Sequence, residues 1–206
     1  MLRFVTMKPA PEALPASLTE DEFYALSEDY RDCEYLDGQL VREPAPPDRH
    51  EDLFGFLLVL FRTYLDKRGG GVVRGSRYAM RLDPRWSPEP DLLVVRQERR
   101  HLMRQQRLEG RADLVIEIVS PSDPTREMRL KLPRYRQERI PELWTINPMA
   151  RSILVEVLEA GGYRSETVHA GRLASTVVPG FWIDVAWLWA DPLPAAYDCA
   201  GLILSS

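Results

Sequence analysis

Glu89-Pro90-Asp91-Leu92-Leu93-Val94-Val95 and Asp113-Leu114-Val115-Ile116-Glu117-Ile118-Val119-Ser120-Pro121-Ser122 are the two stretches that decide the fold of this chain. Each contains a nearly continuous apolar run, as a central strand buried on both faces requires. Each also carries an acid at a strand end, Asp91 in the first and Glu117 in the second. If the two strands are neighbours, these acids converge on one divalent cation. A carboxylate beside such apolar strands is costly to bury alone. A metal, a basic side chain or solvent at the sheet edge must balance it. A hard cation such as Mg²⁺ keeps several waters and needs only one or two carboxylates. Spacing by itself leaves a metal site and solvent-facing strand ends equally open.

A polar segment with Lys131 follows. It reads as a helix capped by Asp123 or Thr125 and reaching about Gln137, with Pro133 inside it predicting a kink or a late start. Such a helix, returning over the sheet, brings Lys131 to the acids. There an ammonium orients a water and offsets charge developing at phosphorus; the plainer alternative is an ion pair with Glu127 one turn earlier. Two carboxylates and a lysine are a minimal set for metal-assisted phosphodiester hydrolysis. Glu34, in Cys33-Glu34-Tyr35-Leu36, is either a third site carboxylate or a solvent-facing one, and His50 is either a phosphate or metal contact or a structural histidine.

Between the two acid-bearing strands lie Arg96, Arg99, Arg100, Arg104, Arg107 and Arg111 against Glu98 and Glu109. If this run hangs beside the acids, Arg99, Arg100 and Arg104 hold a nucleic-acid backbone by charge contacts that ignore sequence. Otherwise it is a solvated loop or helix. Arg77 and Arg81 are weaker candidates for the same contact.

Farther out, Pro9, Pro11 and Pro15 mark residues 1–17 as a flexible N-terminal arm, and residues 18–206 read as one domain. Thr19 and Glu22 form a capping box opening a short helix to about Leu26. Asp37-Gly38 is a two-residue hairpin signal. Asp48, with Glu51 three residues on, is expected to cap a second, well-buried helix that ends at Gly69-Gly70-Gly71. Tyr78, Met80 and Leu82 alternate with Arg77, Ala79 and Arg81 as in a strand. Leu143–Ile146, Ile153–Leu158 and Tyr163–His169 read as further strands, with a turn at Gly161-Gly162, and Val185 to Ala190 as a short helix. Strands interleaved with helices make this an α/β or α+β domain around a mixed sheet.

The bulk numbers exclude several classes. A chain of 206 residues with 45% hydrophobic content can fill one core, and its formal net charge of −4 argues against a wholly basic nucleic-acid-binding surface. The longest apolar run, Leu53 to Phe61, is nine residues and too short to span a bilayer. No signal-peptide pattern opens the sequence, so a cytoplasmic address is expected. Cys33 and Cys199 have no metal-ligand spacing and read as free thiols, with a single disulfide as the alternative. Trp182, Trp187 and Trp189 read as core or a homodimer surface rather than a base-stacking platform. No phosphate-binding glycine loop, nucleophile elbow or zinc spacing occurs.

Taken in order, Glu34-Tyr35-Leu36-Asp37-Gly38, Pro47-Asp48-Arg49-His50, Glu89-Pro90-Asp91, the run Asp113 to Ser122, Lys131-Leu132-Pro133-Arg134-Tyr135 and Ile140-Pro141-Glu142-Leu143-Trp144 resemble the Uma-type restriction-endonuclease family, a branch of the PD-(D/E)XK nuclease-like superfamily. The resemblance runs from about Thr19 to Leu188. It implies a restriction-endonuclease-like core, a central mixed sheet flanked by helices, with an N-terminal hairpin and a C-terminal β extension. It casts Asp91 and Glu117 as ligands of Mg²⁺ or Mn²⁺, with the backbone carbonyl of Ile118 as a further ligand. The superfamily lysine two residues after the acid is replaced here by Val119, and its role passes to Lys131. Glu34 matches an acid of the first hairpin and His50 a histidine near the second helix. Asn147 stands where an Asp is common before the Pro.

Two functions follow. One is a divalent-metal-dependent endonuclease acting on nucleic acid, DNA rather than RNA. The other is a nuclease-like fold that only binds nucleic acid or a protein, which Val119 and the acidic net charge favour. The direction of the Lys131 side chain separates them.

Overall fold

The computed structural model describes residues 18–26, 33–42, 45–75, 77–120 and 126–206. The expected arm over 1–17 and the expected caps Asp123 and Thr125 lie outside the described residues. Helix α1 (Glu20–Leu26) is followed by strands β1 (Cys33–Leu36) and β2 (Gln39–Arg42), helix α2 (Asp48–Arg68), and strands β3 (Gly71–Gly75), β4 (Ala79–Arg81) and β5 (Leu92–Arg96). A 3₁₀ helix (Gln97–Leu102), β6 (Arg107–Glu109), β7 (Leu114–Ile118) and α3 (Arg126–Gln137) come next. The chain then forms β8 (Glu142–Asn147), β9 (Ser152–Glu159), β10 (Gly162–Val168), β11 (Arg172–Ala174), β12 (Trp182–Asp184), a second 3₁₀ helix (Val185–Trp189) and α4 (Ala196–Leu204).

Six strands form a mixed sheet in the order β10-β9-β8-β7-β5-β3, in which only β7 and β8 run parallel. The two apolar runs are its centre. Leu92, Val94, Leu114, Ile116 and Ile118 pack toward α2, while Leu93, Val95 and Val115 pack on the opposite face with Tyr135 of α3. Alternation along β7 therefore turns Glu117 toward α3. Pro133 sits inside α3, which is helical through it. The C-terminal extension, β11 with β12, is tied to β8 through the buried Glu142. That carboxylate accepts from Trp144 Nε1 at 2.7 Å, Ser175 Oγ and the Thr176 amide at 2.9 Å, and the Val177 amide at 3.0 Å.

Local signals explain the first elements. Thr19 and Glu22 make the reciprocal capping box, with the Thr19 amide donating to Glu22 at 2.8 Å and the Glu22 amide to Thr19 Oγ1 at 3.3 Å. Asp37 and Gly38 both take positive φ (51° and 75°), as a type I′ turn requires. The cap of α2 differs from expectation. Helix α2 starts at Asp48 with Pro47 as its N-cap, and no side chain caps it. The extended backbone of Pro47 lets its carbonyl take the amides of His50 and Glu51, and the Glu51 carboxylate turns instead to His50 Nδ1 at 3.5 Å. Strands β3, β6, β11 and β12 and helix α4 carried no periodicity signal, because each is short and several are rich in glycine or arginine. Cys33 and Cys199 are both buried thiols rather than halves of a disulfide.

Candidate active site at the end of the central strands

The site lies where β5 begins and β7 ends. Leu92 pairs with Ile116, which sets Asp91 opposite Glu117 on the neighbouring strand. The Ile118 amide donates to Asp91 Oδ2 at 2.6 Å, and His50 Nε2, in the first turn of α2, lies 3.2 Å from Asp91 Oδ1. Burial pulls the His50 imidazole down. Its hydrogen bond and attraction to Asp91, with the Glu51 charge, outweigh that and raise it above its ordinary value.

On the α3 side, Lys131 is buried and its ammonium points to the carboxylates rather than away. Lys131 Nζ is 2.7 Å from Glu34 Oε1 and 3.5 Å from Glu117 Oε1. The side chain of Glu127, its alternative partner, lies outside the described residues. Glu34 reaches this point because Cys33 and Tyr35 turn to the other side of β1, into a cluster with Phe23 and Leu40. The Ser87 amide bonds the Tyr35 carbonyl and the Glu89 amide bonds Glu34 Oε1 at 2.7 Å, so the hairpin is laced to the segment leading into Asp91.

Two residues not expected from sequence belong here. Tyr135, one turn after Lys131, donates its hydroxyl to Glu117 Oε1 at 2.7 Å. Burial, then the Glu117 charge, push its phenol well above its usual range and keep it a donor. Its i,i+4 spacing from Lys131 was the available signal. Glu89, quoted only as part of the Glu-Pro-Asp run, is nearly buried, with Arg77 Nη1 at 3.8 Å.

The arginines divide. Arg77 stands at Glu89 and His50 at Asp91. Arg99, Arg100 and Arg104 reach neither acid, because the 3₁₀ helix bearing the first two leaves β5 at its other end, about 20 Å of extended strand from Asp91. Arg99 is tied there to Asp113 Oδ1 at 2.9 Å and to the Arg111 carbonyl, and Arg104 to the His101 carbonyl. The expectation that this run hangs over the acids is corrected: Asp113, at the start of β7, holds it. Arg81 pairs with Glu20 and Glu109. Trp182 and Trp187 pack on each other and on Phe56 as core, with centroids 5.4 and 6.5 Å apart.

Beside His50 opens a cleft of about 490 Å³ whose lining includes Val119, Met149, Arg151 and Trp189. Among the described residues no group of three or more His, Cys, Asp or Glu side chains is disposed to hold a metal ion. The donor chemistry at Asp91 and Glu117 nonetheless fits Mg²⁺ or Mn²⁺. Both are hard carboxylates on adjacent strands, and these ions take the rest of their shell from water and substrate.

The fold is a nuclease-like one. A crystal structure of "a putative nuclease belonging to DUF820" from Anabaena variabilis ATCC 29413 matches with a TM-score of 0.70 at 16% identity, covering 84% of this chain and 97% of that one. The chain belongs to the Uma2 family, described as "Putative restriction endonuclease", whose model matches residues 20–186. No curated protein matches it. Among the described residues no helix is long and apolar enough to cross a membrane.

Proposed function

We propose that this protein is a divalent-metal-dependent endonuclease that hydrolyses phosphodiester bonds of DNA. The observation that carries the reading is the buried Lys131 ammonium, 2.7 Å from Glu34 and 3.5 Å from Glu117, at the sheet end that also holds Asp91. Asp91 and Glu117, with the Ile118 carbonyl, would hold Mg²⁺ or Mn²⁺. Bound there, the ion would polarise a phosphoryl oxygen and acidify a water. Lys131 keeps the paired carboxylates compatible with burial and places a positive charge where negative charge grows during attack. Glu34 orients Lys131, and Tyr135 fixes the Glu117 carboxylate. His50 holds Asp91, and Arg77 at the rim offers a phosphate contact. The family's description as a restriction endonuclease supports DNA as the substrate. A cytoplasmic address and a homodimer belong to the same reading.

One observation favours a binding module instead. Lys131 is enclosed between carboxylates, and Val119 stands where the superfamily carries its lysine, which suits a site that holds a strand without cutting it. Supercoiled plasmid, single-stranded DNA and RNA should be incubated with Mg²⁺, Mn²⁺ or EDTA, alongside Asp91→Ala and Lys131→Ala. Metal-dependent cleavage lost in both variants supports the nuclease. No cleavage, or equal cleavage by all three proteins, overturns it in favour of the binding module.

A further inference from the structure

We propose that the cleft beside His50 receives one unstacked, amino-bearing base of a single nucleic-acid strand, seated on Trp189. The proposal rests on the nuclease reading for its substrate class and adds a strand and base preference. The cleft adjoins the site through two residues. His50 lines it while its Nε2 lies 3.2 Å from Asp91, and Val119 lines it next to Ile118, whose amide bonds Asp91. A strand with its phosphate at Asp91 therefore has its next base at the cleft mouth. A volume of about 490 Å³ lies within the range of sites for small organic ligands.

The walls are pinned in place. Arg49 Nη2 donates to the carbonyls on either side of Trp189, Leu188 at 2.7 Å and Ala190 at 2.9 Å. The indole Nε1 donates to the His169 carbonyl at 2.9 Å, and His169 Nδ1 lies 3.1 Å from the Arg151 carbonyl. Trp189 is thus locked to the turn carrying Met149, which is half exposed on the cleft. The Asn147 side chain holds that turn by accepting the Ala150 amide at 3.0 Å. An indole and a thioether that both line the cleft suit a flat aromatic guest, and stacking is indifferent to which base arrives.

Charge then selects the part of the nucleotide and the base. The lining carries Asp48, Asp52 and Asp191 against Arg49, Arg151 and His50; Arg49 is already spent on the two carbonyls and His50 on Asp91. Three carboxylates repel a phosphate. They accept hydrogen bonds from exocyclic amino groups, which cytosine and adenine have and thymine lacks. A duplex cannot present a base this way without unpairing it.

Fluorescein-labelled oligo-dC, oligo-dT and a duplex, each about a dozen nucleotides long, should be titrated in EDTA and read by anisotropy. The expected result is oligo-dC binding about tenfold more tightly than oligo-dT or duplex. Trp189→Leu should weaken oligo-dC and oligo-dT alike while leaving duplex binding unchanged, and Asp52→Ala should remove most of the advantage of oligo-dC over oligo-dT. Asp52→Ala alters an exposed position of α2 and decides the matter if Trp189→Leu fails to fold. Equal binding of the three probes, no binding of any, or an undiminished preference for oligo-dC over oligo-dT in Asp52→Ala overturns the proposal. Plasmid cleavage abolished by Asp91→Ala but without strand or base preference sinks the cleft assignment and leaves the nuclease. A base preference with no cleavage under any metal does the reverse.

Discussion

Replacing Lys131 with methionine tests the centre of the site directly. The two side chains have similar length, so the change removes charge with little change in volume. At an effective dielectric of about 20, an ammonium attracts a carboxylate at 2.7 Å by about 6 kcal/mol and one at 3.5 Å by about 5 kcal/mol. Burying the ammonium opposes this by several kcal/mol. Removing it also leaves Glu34 and Glu117, both buried, facing each other's charge. The net expected loss is about 3–5 kcal/mol of folding free energy, or about 6–20 °C in Tm for a chain of this size. Urea unfolding with linear extrapolation measures it. Adding Glu34→Gln should restore part of the loss, because it removes one of the stranded charges. A loss below about 1 kcal/mol, or single-variant effects that add within about 0.5 kcal/mol, refutes the buried ion-pair reasoning.

Tyr135→Phe should cost about 1–3 kcal/mol for the hydroxyl taken from Glu117. It should also raise the Mg²⁺ concentration needed for half-maximal cleavage; an unchanged metal dependence separates Tyr135 from the proposed ligand. His50, raised by Asp91 and Glu51 against its burial, adds stability that is fully present below the unfolded value of about 6.5 and is lost as pH rises through its folded value. The urea midpoint should fall over that window in the wild type and fall less in His50→Gln, and identical profiles would exclude this linkage. Gly75→Ala should destabilise by about 1–3 kcal/mol and depress activity, since the new methyl would lie 2.6 Å from the Phe54 ring and 2.7 Å from the Asp91 carbonyl. Gly55→Ala, with nothing within 4 Å of the added carbon, serves as control and should be neutral or stabilising.

Most of the sheet was legible because its central strands must be apolar on both faces, and residues 92–95 and 114–118 advertise that without any neighbour. The capping box at Thr19 and the turn at Asp37-Gly38 were equally plain, since both are built from contacts within four residues. Legibility failed where a partner distant in sequence makes the choice. Gly71 read as part of a helix stop, yet with Gly75 it brackets a strand that only residues without side chains could bring against Val95 and Asp91. Asp48 had the right spacing for a cap, but Pro47 set the backbone one residue earlier.

The candidate site shows the same division. Sequence alone singled out Asp91 and Glu117, because acids at the ends of apolar strands are costly and therefore informative. It also raised Lys131, Glu34 and His50 as candidates by chemical type. Tertiary structure decided which of them meet: strand pairing set Asp91 opposite Glu117, β1 aimed Glu34 at Lys131, and one turn of α3 added Tyr135. It also sent the arginine-rich run to the far end of β5, where Asp113 pairs with Arg99. Charge in a sequence has no direction until the backbone fixes where each side chain points, and that is the information this chain holds only when folded.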